Sequence, residues 1–124
     1  MLFAEICFSQ ENEKFDTHFI LTFFSDKDFQ HERLNDTVTF LKFNMDDFKI
    51  DTFSILKHKW TFDSIYLFGK VYTEVYDKFD RKYYCQSNER VFEIKEYGTG
   101  FMIYYYFKRE RGLWYLIRKE DFSN

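Results

Sequence analysis

Among the Asp, Glu, His and Tyr side chains of this sequence, the candidates for exchanging a proton with a substrate are His18, His58, Asp63, Tyr104 and Tyr106. Acid/base catalysis requires such a group to have a shifted pKa and to sit within hydrogen-bond reach of the reacting proton. The spacing gives little support for that. His58 stands between Lys57 and Lys59 and His31 precedes Glu32, so both read as solvated. His18 follows Phe15 by one helical turn and reads as a boundary histidine at the edge of an apolar stripe. The three His form no i, i+4 pair and have no carboxylate at ligand spacing, so neither a metal site nor a cofactor is expected. Ser54, Ser64 and Ser87 lack the Gly-x-Ser-x-Gly elbow, and no glycine-rich loop precedes a helix to cradle phosphate. No residue is assigned as catalytic.

Binding has better candidates. Consecutive strand residues point to opposite faces, so Tyr104 and Tyr106 share one side with Met102. Phenols on a concave face would hold a flat ligand or a glycan; in the plainer reading they close the core with their hydroxyls at its rim. Trp60, Trp114 and Arg33 complete the expected ligand-binding set. Arg33 is also placed to pair with a carboxylate such as Asp121, a surface link contributing ~0 to 1 kcal/mol.

The elements that must position these groups follow from periodicity. Between Asn12 and Phe24 the apolar Phe15, Phe19, Ile20 and Phe23 mark one face of a helix. Ser25, with Asp28 three positions on, is the expected cap of a second short helix anchored by Phe29 and Leu34. Strands are expected at Thr37 to Phe43, near residues 48 to 55, and at Val71 to Tyr76, where apolar and polar residues alternate. Glu89 to Asp121 reads as antiparallel hairpins turning at Gly98-Thr99-Gly100 and Glu110-Arg111-Gly112. Within it, the uniformly apolar Phe101 to Phe107 reads as a central strand covered on both faces. Helices followed by a meander predict an α+β fold.

Composition sets outer bounds. With 124 residues the chain suits one domain, taken as 11–124, and 24% aromatic residues mean that rings fill most of the core. The net charge is -3, and the one dense basic stretch, Lys108 to Arg111, is broken by Glu110, so nucleic acid is not an expected partner. No apolar run approaches the roughly 18 residues needed to cross a bilayer, and a soluble domain is expected. Residues 1–10 read either as the rear half of a secretory signal or as the N-terminus of a cytoplasmic protein, the apolar stretch being short and interrupted by Glu5. A disulfide between Cys7 and Cys85 requires that no leader be removed. Asn35-Asp36-Thr37 matches a glycosylation sequon, a pattern short enough to arise by chance.

The run Ser25-Asp26, then Phe29-Gln30 and Arg33, with the later Tyr106-Phe107, Gly112-Leu113-Trp114-Tyr115-Leu116 and Asp121-Phe122-Ser123, resembles a bacterial family of exported proteins of unknown function. Members of that family look like the nuclear-transport-factor-2-like (NTF2-like) cone, in which a long first helix packs into a bent antiparallel sheet. The resemblance covers roughly Phe15 to Asn124 and departs at Leu34-Asn35-Asp36, where the family pattern runs into a proline. It implies a secreted or periplasmic location and a pocket between helix and sheet. The expected function is a non-enzymatic domain that binds an unidentified small molecule or protein, with a homodimer among the expected assemblies. The alternatives are a small acid/base enzyme in the same cone and an acidic, immunity-type interaction protein with one acidic and aromatic patch.

Overall fold

The structure, a computed structural model, describes residues 12–65, 71–82 and 86–123. The expectations for residues 1–10, Cys7 and Cys85 fall outside the described residues.

Two helices begin the fold. Helix α1 spans Thr17–Phe23, with the Asp16 carboxylate accepting from the Phe19 amide at 2.9 Å. That cap starts the helix later than the apolar periodicity implied, because Asp16 satisfies an amide that has no carbonyl partner inside the helix. Residues 12–15 run alongside the sheet instead, and the Glu13 amide donates to the Gly112 carbonyl. Helix α2 spans Lys27–Glu32 and is capped by Asp26, which accepts from the Phe29 amide at 3.0 Å. The expected cap, Ser25, donates its hydroxyl back to the Leu21 carbonyl of α1. Leu34 opens a strand and is buried in the core against which Phe29 of α2 packs.

Six strands follow: β1 Leu34–Asn44, β2 Lys49–Leu56, β3 Val71–Tyr76, β4 Glu89–Glu96, β5 Phe101–Glu110 and β6 Leu113–Asp121. One 3₁₀ turn, Lys57–Lys59, follows β2. The strands form one sheet in the order β2-β1-β6-β5-β4-β3. All neighbours are antiparallel except β1 and β6, which run parallel, so the expected antiparallel sheet is in fact mixed. The cause is topological. The β3 to β6 meander leaves β6 as a free edge, and the chain leaving α2 enters along it in the same direction. Tight turns hold the meander: Arg111 and Gly112 both have positive φ, the geometry of a two-residue hairpin turn matched to strand twist.

The helices cover one face. Phe19, Phe23 and Phe24 pack there with Phe92, Ile94, Ile103, Tyr105, Phe107, Trp114 and Leu116. Rings meet edge to face at 5.0 Å between Phe23 and Phe107 and at 4.9 Å between Phe24 and Tyr105, an arrangement that the ring quadrupoles favour.

Ladder register shifts at two places. On β6, Tyr106 pairs with Arg118 while Phe107 pairs with Leu116, leaving Ile117 as an extra residue. A bulge of this kind bends a strand and inverts its alternation beyond that point. Trp114 and Leu116 therefore reach the helix-covered face through even positions, and Lys119 reaches it through an odd one. On β1 the register with β6 shifts between Leu34 and Thr39.

Candidate functional site

The irregular segment from Trp60 to Asp63 crosses the helix-covered side of the sheet, held by one amide side chain. Gln30 of α2 is fully buried. Its Nε2 donates to the Phe23 carbonyl at 2.8 Å and to the Asp63 carbonyl at 3.0 Å. Its Oε1 accepts from Trp60 Nε1 and from the Asp63 amide, each at 2.8 Å. Four bonds use the whole capacity of a glutamine, so α2 fixes a stretch that has no ladder of its own.

That anchorage aims the Asp63 carboxylate at the sheet. Its Oδ2 accepts from the buried Tyr105 hydroxyl at 2.7 Å and from Lys119 Nζ at 2.5 Å. The Lys119 ammonium also lies 5.3 Å from the Phe40 ring centroid and 5.4 Å from that of Tyr105, within cation–π range. Tyr105 comes from β5, Lys119 from β6 past the Ile117 bulge, and Phe40 from β1. Burial pushes the Tyr105 hydroxyl well above its usual range, and the adjacent Asp63 carboxylate adds to the effect. The phenol is therefore a fixed donor at neutral pH.

Cavities flank this centre. One of about 310 Å³ lies between the segment and the β1–β2 pair, walled by Phe40, Ile55, Trp60 and Phe62 with Asp63 and Lys119 at its inner side. A second, also about 310 Å³, lies beyond Asp63 against Ile94 and Ile103. A third, about 430 Å³, runs along α2 on the other side of Trp60 and Phe62. The first has an aromatic wall and a charged inner end, the usual make-up of a small-molecule site.

The remaining candidates lie elsewhere. Tyr104 and Tyr106 do share one side, but it is the face opposite the helices. Tyr104 is flanked in register by Glu93 on β4 and Glu120 on β6, both buried. Tyr106 donates to Glu120 Oε1 at 2.8 Å, and Glu93 Oε1 accepts from Tyr76 at 3.1 Å. Arg81 reaches down from the chain after β3, with its guanidinium 4.3 Å from the Tyr104 ring centroid and Nη2 2.9 Å from the Tyr106 hydroxyl. Arg118 donates to Glu120 Oε2 at 2.7 Å. Burial, then the hydrogen bond to Glu120, raises the Tyr106 pKa to about 12; burial and then Glu93 raise that of Tyr104. The carboxylates in this network are satisfied by neighbouring side chains.

Trp114 is fully buried, with Arg90 and Arg109 each about 5 Å from its ring. Its Nε1 donates to the Glu13 carbonyl at 2.8 Å. Arg33 does not pair with Asp121: its Nη1 lies 2.5 Å from Glu13 Oε1, and its guanidinium covers Phe29 at 4.6 Å. Trp114 and Arg33 thus latch residues 12–15 to the sheet. His18 and His58 are exposed. Among the described residues no three His, Cys, Asp or Glu side chains converge as metal ligands would, and no helix is long and apolar enough to cross a membrane.

Sequence reasoning named Asp63 and Trp60 but missed Gln30, Tyr105 and Lys119. A usable signal was Glu93. The glycine turn sets Tyr104 opposite that glutamate, marking Tyr104 and Tyr106 as the polar face and Tyr105 as the inner one.

Comparison with known proteins agrees with this architecture. The sequence profile of a family described as a domain of unknown function (DUF4348) matches residues 4–121. The crystal structure of an NTF2-like protein from Bacteroides fragilis matches with a TM-score of 0.61 and 22% identity, over 92% of this chain and 49% of that one. The likeness is one of fold, and this chain spans about half the length of that protein. No curated protein matches the sequence.

Proposed function

The chain belongs to the DUF4348 family, and from that premise we propose that it is a non-enzymatic binding domain of NTF2-like fold. Its ligand is a small molecule with a flat apolar body and one acidic group. The body lies against Phe40, Trp60 and Phe62, and the acid reaches Lys119. The carrying observation is the Lys119 ammonium at the inner end of an aromatic-walled cavity, held 2.5 Å from Asp63. An incoming anion shares that cation with Asp63 and completes its surroundings.

Catalysis is supported less well. Asp63 Oδ2 already accepts two hydrogen bonds, Tyr105 is locked as a donor, and phenylalanine rings fill the space between helices and sheet. An acidic interaction patch is also supported less well, because Glu93 and Glu120 are buried in the opposite-face network. Its partners are the small molecule and, in a homodimer, a second copy of the chain. The domain acts outside the cytoplasm, a reading supported by the apolar residues among positions 1–10 and by the resemblance in sequence to exported proteins. Recovery of the tagged full-length protein only from the cytosolic fraction overturns that location.

Anilinonaphthalene sulfonate is a suitable probe, being a flat apolar body with one anionic group. In a nitrogen-15 NMR titration it should shift the Trp60 indole and the amides of residues 59–63 and 119 at micromolar concentration. Lys119→Met should weaken it about tenfold or more, the scale of one charge-assisted contact. Binding unaltered by Lys119→Met, or shifts confined to other surfaces, overturns the proposal.

A further inference from the structure

Asp63 keeps one acceptor in reserve. Gln30 engages its amide and its carbonyl, and Tyr105 and Lys119 both donate to Oδ2. Among the described residues nothing donates to Oδ1, and no side-chain oxygen or nitrogen there is both buried and unpaired. Oδ1 is therefore open to solvent, on a side chain that is only 19% exposed and stands in the wall of the cavity of about 310 Å³ beside Lys119. An ionised carboxylate can accept at both oxygens, so this atom is a ready partner for a donor brought in by a ligand.

Charge narrows what that donor is. Among the described residues that wall the cavity, Asp63 and Lys119 are the charged groups at its inner end, while Lys59 is exposed. The two form a contact pair with no net charge. A ligand bearing only an acid brings a second negative charge up to one ammonium and sets two carboxylates side by side, which largely buried surroundings disfavour. A ligand with an ammonium next to its acid leaves the site neutral. Its acid accepts from Lys119, its ammonium donates to Asp63 Oδ1, and each charge has an opposite neighbour. Because Asp63 and Lys119 touch each other, the ligand's two charges must also be close together, as they are when both groups sit on one carbon.

We infer that the ligand is a free α-amino acid with a flat aromatic side chain. Its carboxylate lies on Lys119, its ammonium on Asp63, and its ring against Phe40, Trp60 and Phe62. This rests on the ligand reading above and adds the amine to it. Tyr105, donating to Oδ2 from the sheet, leaves Oδ1 as the oxygen for the ligand. A residue inside a polypeptide carries neither charge on its α-carbon, so the class is free amino acids and not internal peptide segments.

Three compounds built on indole separate the two charges. L-Tryptophan has both, indole-3-propionate lacks the ammonium and tryptamine lacks the carboxylate. In nitrogen-15 NMR titrations of the full chain, L-tryptophan should shift the amides of residues 59–63 and 119. It should bind about tenfold or more above either analogue in affinity, the scale of one charge-assisted contact. In Asp63→Asn, with its fold checked by amide dispersion, tryptophan should lose its advantage over indole-3-propionate. The series on the unaltered chain decides the matter even where that variant does not fold. Indole-3-propionate binding as tightly as tryptophan overturns the inference and leaves the acid reading standing, as does failure of the whole series where the sulfonate binds. Tryptamine binding as tightly as tryptophan overturns both readings, and so does failure of every compound, the sulfonate included. An advantage for tryptophan that persists in folded Asp63→Asn also overturns the inference.

Discussion

Asp63 joins a segment without regular structure to two strands of the sheet. Removing its charge by Asp63→Asn leaves Lys119 without its counter-ion and Tyr105 with a weaker acceptor. Because both members of the ion pair keep some solvent contact, the expected loss is about 1–3 kcal/mol, below that of a fully buried pair. Tyr105→Phe should cost about 1–2 kcal/mol, and in a double-mutant cycle the two losses should fall short of additivity. Urea denaturation measures both; full additivity would show that the hydroxyl and the carboxylate do not act together. The raised tyrosines predict a pH effect. A phenol that stays protonated in the folded chain while it ionises in the unfolded one makes the folded state bind more protons. Stability is then fully present below pH about 10 and falls as the pH rises from there toward the folded value of about 12 for Tyr106. The urea midpoint should drop over that window, and Tyr106→Phe should make the drop shallower. An unchanged slope in that variant would assign the effect to other groups.

Among the elements, legibility followed the range of the interactions that create them. The β4, β5 and β6 boundaries could be read from the sequence because alternation, glycine turns and hairpin register are all local. The faces of β6 are not legible past Ile117, since a bulge leaves no local mark and alternation read straight through it puts Lys119 on the wrong side. The first helix was read too long because Phe15 fits the apolar stripe, although it packs on Phe107 and Trp114 from outside the helix, at 5.0 and 5.3 Å. Arg33 was given the wrong partner, its carboxylate coming from Glu13, on the stretch that the apolar stripe had assigned to the helix. The Trp60 to Asp63 segment stayed unreadable because its order comes from Gln30 and not from its own residues. Gln30→Ala should therefore release it, at a cost of about 2–3 kcal/mol for the amide and indole groups left unpaired. Hydrogen exchange should show faster amide exchange in residues 60–63 with β4 to β6 unchanged; uniform loss of protection would mean that the segment and the sheet open as one unit.

For the whole molecule, fold class and central strand were legible and the parallel β1–β6 ladder was not, because which strand lies beside which is a non-local choice. That ladder pairs Thr39–Lys42 with Arg118–Asp121, from opposite ends of the described chain. Strands β4, β5 and β6 are joined by short turns, so they should assemble first and β1 should dock afterwards. Val38→Ala and Ile94→Ala each remove buried apolar groups, at a cost of about 1–3 and about 2–5 kcal/mol. Stopped-flow chevrons should show Val38→Ala acting mainly on the unfolding limb and Ile94→Ala on the refolding limb, and the reverse pattern would place β1 in the nucleus. The same ladder bears on synthesis. A ribosome finishes β1 early and β6 late, so the β1–β2 ribbon, with Phe40, Phe43, Phe48 and Phe53 uncovered, must wait for its partner strand while the intervening chain is made. A nascent chain of this kind is held open by its own topology, and in that interval it is a natural client for a chaperone.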